Sequence, residues 1–172
     1  MAAGTRLIAT AAGVNLASAA VTAALFVLLA PLMAAPEGVV ALQARLALAA
    51  RLSIWPALVL FAMVAGVMAV RGRFQAFNPV EDTESRAYRV AQRVLSNTVE
   101  QTLIFLPALT ALSTLLPVAS LGVLALATAL FVVGRLLFWA GYAVHPYARA
   151  PGMAMTFAVN LIVLGWAVLL AV

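Results

Sequence analysis

The 172-residue sequence has no cysteine. Disulfides, thiolate metal sites and a cysteine nucleophile are therefore excluded, and any thiol chemistry must use a thiol supplied from elsewhere. Lysine is absent as well, since all ten basic residues are arginine. With the excess of Ala, Val and Leu, this has the look of a chain from a GC-rich bacterial genome. Charge of either sign is scarce, at 9% of residues against about 25% in soluble domains. One histidine and five scattered acids cannot build a metal site. What is abundant is apolar surface, at 66% of the residues. The composition is that of an integral membrane protein, all-α, and the length is that of one domain spanning 1–172.

Five runs are long enough to cross a bilayer. The first, Leu7 to Met33, exceeds the 7–15 residues of a signal-peptide core and ends at Pro31, Pro36 and Glu37, so it reads as a retained span. The second runs from about Leu46 to Val70, with Arg51 placed to snorkel toward the interface. A polar loop over 71–93 follows, with a turn at Asn78-Pro79 and helix-capping residues at Asp82-Thr83-Glu84. The third span, 86–116, enters through Arg86, Arg89 and Arg93 and ends at Pro117. The fourth is 121–143, closed by Pro146, and the fifth is 153–172. With five spans, Arg6, Arg71, Arg73, Arg86, Arg89, Arg93 and Arg149 share one side, and only Arg45 and Arg51 lie on the other. The arginine bias predicts an inner-membrane protein with a cytoplasmic N-terminus and cytoplasmic 71–93 loop, its C-terminus facing outward. The basic excess follows the membrane edges, where it meets lipid headgroups, and offers no module for nucleic acid.

Polar side chains at membrane depth carry the functional information. Asn97 and Glu100 lie in the third span and Arg135 in the fourth, and ionisable groups there mark sites by default. At about 1.5 Å per residue, Glu100 sits roughly 9 Å beyond Val94 and Arg135 roughly 13 Å inside Val144, in the same leaflet. Arg89, Arg93, Asn97 and Glu100 are spaced by four, four and three and stack on one helical face. Arg135, Tyr142 and Arg149 recur every seven residues. Such a pocket suits a small zwitterion, with arginine forks on its carboxylates and Glu100 on its ammonium. The alternative is structural: Glu100 neutralises Arg135 or Arg93 as an ion pair and Asn97 bonds across helices. Periodicity does not separate the two. Asn15, Ser18 and Thr22 form a polar stripe on the first span that reads as helix packing, Asn160 reads as an interhelical hydrogen bond, and His145 as structural or solvent-facing.

The run from Arg86 through Arg93, Asn97 and Glu100 into Gln101-Thr-Leu-Ile-Phe-Leu-Pro resembles the R-x-x-x-N-x-x-E signature of the MAPEG family, the membrane-associated proteins of eicosanoid and glutathione metabolism. Arg135-Leu-Leu-Phe-Trp-Ala-Gly-Tyr142 followed by Arg149-Ala-Pro is similar to that family's second motif. The resemblance covers roughly Leu46 to Val172. It implies a four-helix core plus one additional N-terminal transmembrane helix, a homotrimer, and glutathione as co-substrate between subunits in the cytoplasmic leaflet. By motif, Arg93, Asn97, Glu100, Arg135 and Tyr142 would bind glutathione, and Arg149 would be the catalytic residue that stabilises its thiolate. Two positions depart from the family pattern: Gln101 follows the motif glutamate where some members have an aromatic residue, and Phe138 stands where some glutathione-binding members have a tyrosine.

Two functions are compatible with this pattern. One is a membrane-bound glutathione transferase or peroxidase acting on lipophilic electrophiles that arrive from the bilayer. The other is a non-catalytic accessory or structural subunit using the same polar face for assembly, with the first span wrapping the trimer or engaging another membrane protein.

Overall fold

The computed structural model describes residues 2–75, 78, 84–145 and 147–172, with side chains from residue 9 onward. Pro79, Asp82, Thr83, Pro146 and the side chain of Arg6, expected to supply a turn, a cap, a helix exit and part of the arginine bias, lie outside the described residues. Five helices are long and apolar enough to span a membrane. They are α1 (Ala2–Leu29), α2 (Leu42–Arg73), α3 (Arg86–Leu115), α4 (Val123–Val144) and α5 (Ala150–Ala171). No strand occurs among the described residues. This is an all-α membrane bundle.

The expected 71–93 loop is shorter than the sequence suggests. Helix α2 continues through Arg71 and Arg73, whose cations lie at its C-terminus, where the dipole favours them. Helix α3 starts at Arg86 behind Ser85, whose hydroxyl accepts a hydrogen bond from the Tyr88 N–H at 3.1 Å. Ser85 is thus the N-cap.

Helices α2, α3, α5 and α4 form a closed ring of neighbours, with α3 also touching α4, and α1 packs along the outside of α5. The main apolar core lies away from the arginine-rich end. There the Phe105 and Phe131 rings stack at 4.3 Å, surrounded by Leu109, Leu112, Leu124, Val159 and Val163. A smaller cluster of Val59, Met63, Val94 and Phe138 lies nearer the arginines. Outward faces keep large apolar side chains such as Leu58, Phe61, Met68, Leu161 and Leu169 exposed, as contact with acyl chains requires. Thr22, Ser53, Thr110 and Thr128 return their hydroxyls to the carbonyl four residues back, satisfying them within their own helices.

At the opposite end, Arg45 closes α3. Its Nη1 donates to the Thr114 and Leu116 carbonyls at 3.1 and 2.6 Å, satisfying carbonyls that a helix C-terminus leaves unpaired. The α4–α5 pair is held by small residues. A Cβ on Gly152 would strike the Phe138 backbone and approach the Gly134 carbonyl oxygen to 2.6 Å. Without lateral hydrophobic drive in lipid, such close backbone approach is what binds helices together.

Gly152→Ala should therefore destabilise the bundle by at least about 1–3 kcal/mol through overpacking. Gly13→Ala, where an added Cβ meets nothing within 4 Å, should be neutral or stabilising by about 0.5–1 kcal/mol. Unfolding of both variants in the same detergent checks the contrast.

Candidate functional site

The arginine-rich end of the bundle contains a cavity of about 240 Å³ between α3, α4 and the start of α5. Its lining is Arg93, Ser96, Asn97, Glu100, Phe138, Tyr142, Arg149 and Met153. The α3 residues meet there because spacings of four and three put Arg93, Asn97 and Glu100 on one stripe. Arg93 and Glu100 are exposed at its rim, and Asn97 lies deeper. Among the described residues Glu100 engages neither Arg135 nor Arg93, so the ion pair offered by the sequence as the structural alternative does not form. The charges of Arg93 and Glu100 are left facing the cavity.

Arg149 reaches the site through the loop between α4 and α5. This loop folds tightly against α4 at Gly141, where a Cβ would collide with the Ala148 carbonyl and approach the Arg149 nitrogen to 2.9 Å. The guanidinium lies over the Tyr142 ring, 4.6 Å from its centroid, and Tyr142 meets Phe138 edge-on at 5.6 Å. This cation–π contact holds the positive group without neutralising it. Arg149 is also the residue at which α5 begins. A cation there opposes the helix dipole, and the two positive potentials add at one point. His145 takes no part in this cavity; its Nδ1 accepts from the Tyr147 N–H at 3.3 Å.

Arg135 is placed differently from the other candidates. It is fully buried and does not line the cavity. Its Nε donates to Thr156 Oγ1 at 2.9 Å, Nη1 to Asn97 Oδ1 at 2.8 Å, and Nη2 reaches the Gly152 carbonyl at 3.5 Å. Its guanidinium carbon also lies 4.7 Å from the centre of the Phe138 ring. Every acceptor is neutral. Because a guanidinium offers only donors, Asn97 must present its carbonyl oxygen to Arg135 and keep its NH₂ for the cavity. Arg135 thus fixes which end of the Asn97 amide faces the cavity.

The sequence missed Thr156 and Ser96. Thr156 is seven residues beyond Arg149 in an apolar run and resembles the other self-satisfied hydroxyls; only the α4–α5 contact gives it Arg135. Asn160 does bond between helices, its Nδ2 donating to the Gln101 carbonyl and to Gln101 Oε1 at 3.1 and 2.8 Å.

Thr156→Val removes the acceptor of Arg135 Nε while keeping the volume. It should cost about 1–3 kcal/mol of stability, the penalty of an unmade buried hydrogen bond. Equilibrium unfolding in detergent, compared with Thr128→Val, measures it, since the Thr128 hydroxyl serves only its own helix.

The geometry can be set beside known proteins. No curated protein and no solved structure was found to match the chain. The family model described as MAPEG family matches residues 53–169, which includes the second half of α2, all of α3 and α4, nearly all of α5, and every residue lining the cavity. The chain belongs to the MAPEG family.

Proposed function

We propose that the protein is a membrane-bound transferase or peroxidase that presents glutathione, or a similar low-molecular-weight thiol, to lipophilic electrophiles. The observation that carries this reading is the convergence of Arg93, Asn97, Glu100, Tyr142 and Arg149 on one cavity. The donor set fits the ligand group by group. Glutathione carries two carboxylates, one ammonium and one thiol. Arg93 supplies a fork for a carboxylate, the Asn97 NH₂ a neutral donor, and Glu100 an acceptor for the ammonium.

The remaining cation, Arg149, answers the thiol. A free thiol with a pKa near about 8.5 is mostly protonated at neutral pH, and an adjacent cation or helix N-terminus favours the thiolate. Arg149 and the start of α5 offer both. The thiol proton leaves to solvent, the thiolate sulfur attacks the electrophilic atom of the second substrate, and the bond to the leaving group breaks or the electron pair moves into the acceptor. In peroxidase use, sulfur attacks the terminal peroxide oxygen, the O–O bond breaks to release the alcohol, and a second thiol displaces water from the resulting sulfenic acid to give the disulfide.

The cavity volume of about 240 Å³ lies below the range of about 300–1,000 Å³ usual for small-molecule sites. Arg93 and Glu100 face outward from a single chain. Both features favour a neighbouring copy that supplies the missing wall, and the family resemblance makes that assembly a homotrimer. The arginine bias favours an orientation with the cavity on the cytoplasmic side and lipid headgroups around it, and the lysine-free, Ala/Val/Leu-rich composition favours a bacterial inner membrane.

Purified protein in detergent should show a glutathione-dependent rise in melting temperature and an ultraviolet thiolate signal. Absence of both overturns the proposal. Arg149→Ala should lower turnover on the order of 100-fold with little change in thermal stability. Removing the cation raises the bound thiol's pKa, so the acid limb of the pH–rate profile should move to higher pH. Binding without any turnover in the unaltered protein would instead mark a non-catalytic member.

Asn97→Asp separates positioning from binding. The aspartate still accepts from Arg135 but turns an acceptor, not a donor, toward the cavity. Glutathione affinity, read by calorimetry, should fall about tenfold or more, in keeping with loss of a charge-assisted bond, while the melting temperature stays close to that of the unaltered protein.

A further inference from the structure

A second recess of about 310 Å³ lies between α1, α3 and α5, lined by Asn15, Leu16, Ala19, Gln101, Met153, Ala154 and Phe157. It adjoins the polar cavity through Met153, which lines both. Glu100 and Gln101 are chain neighbours on α3, so a rotation of about 100° along the helix separates the group facing one space from the group facing the other. The lining is apolar except for Asn15 and Gln101, and its large side chains Leu16, Met153 and Phe157 are exposed at the surface of the chain.

Both amides keep hydrogen-bonding groups to spare, as Thr98, Thr102 and the Asn160 Oδ1 do deeper in the bundle, but of these only theirs border a recess. Among the described residues Asn15 makes no side-chain hydrogen bond, although an unpaired amide at membrane depth costs free energy. Thr22, on the same stripe, is closed onto the Ser18 carbonyl, so helix packing accounts for Thr22 but not for Asn15. Gln101 has a defined orientation. Asn160 must point Nδ2 at the Gln101 backbone carbonyl, and the same nitrogen then requires Oε1 from the Gln101 side chain. The Gln101 NH₂ is thereby left for the recess, with no acceptor among the described residues.

We propose that this recess is a second ligand site, for a lipophilic molecule bearing a hydrogen-bond-accepting carbonyl. The carbonyl oxygen accepts from Gln101 Nε2 and from Asn15, and the hydrocarbon part lies along Leu16, Ala19 and Phe157. Helix α1, which lies outside the matched family segment, forms one wall and so takes part in selecting the ligand. As the source of the electrophile the site rests on the thiol-transferase reading above; as a binding site it does not.

The test uses the full chain in lipid nanodiscs and two photoprobes of equal length, a medium-chain methyl ketone and an alkane, each with a terminal diazirine. The ketone probe should label residues 15–19 and 153–157, as read by mass spectrometry, and excess unlabelled ketone should compete. Gln101→Leu should reduce ketone labelling about three- to tenfold, the worth of one hydrogen bond, and leave alkane labelling unchanged. Asn15→Leu, on the other helix, should act in the same direction. Equal labelling by both probes means ordinary acyl-chain contact and overturns the proposal, as does ketone labelling that neither variant changes. No thiol is present, so selective labelling of a protein that ignores glutathione would retain the recess and reject only the transferase reading.

Discussion

A buried guanidinium with no carboxylate beside it is the constraint on which the rest of the bundle turns. Arg135 sits where α3, α4 and α5 meet, and it is accommodated by an amide, a hydroxyl, a backbone carbonyl and an aromatic face. Each of these acceptors must be held at a fixed depth and angle, because an unpaired charge in such surroundings costs several kcal/mol, on the order of 3–5 when a partner is removed. The requirement reaches outward. Thr156 can approach Arg135 only because Gly134 carries no side chain to displace its hydroxyl. The carbonyl of Gly152 is available because α4 and α5 come close enough for their backbones to touch.

The same constraint organises the polar cavity without entering it. By occupying the oxygen of Asn97, Arg135 turns the amide NH₂ toward the space that Arg93 and Arg149 already make positive. Charge is spread by distance: Arg135 is sequestered, Arg149 rests on an aromatic ring at the head of a helix, and Arg93 stands at the rim. Had Glu100 paired with Arg93 or Arg149, the cavity would have lost both a cation and its single acid. Among the described residues these groups stay unpaired, so charges of both signs remain at one cavity.

Much of this was legible in the sequence because the bilayer simplifies the code. Apolar runs had to be helices, and polar groups inside them had to face other helices, so the stripe Arg93-Asn97-Glu100 and the seven-residue recurrence of Arg135, Tyr142 and Arg149 identified α3 and α4 as the bearing elements. The spacing rule fails at Arg135. Seven residues return to nearly the same helical face, yet Tyr142 borders the cavity while Arg135 turns inward toward α5, since face alone does not say which neighbour lies there. Ser85 was hidden behind more acidic capping candidates, and Asn15 behind Ser and Thr residues that satisfy themselves.

The sequence by itself determined that this chain spans a membrane, that it does so with five helices, and which few side chains could not belong to lipid. Those conclusions follow from free energies of transfer, which are properties of residues and their order. Only the tertiary structure decided which polar group meets which. Hydrogen bonds are made across 3 Å between helices whose approach depends on glycines far apart in the chain, and no one-dimensional pattern encodes that distance.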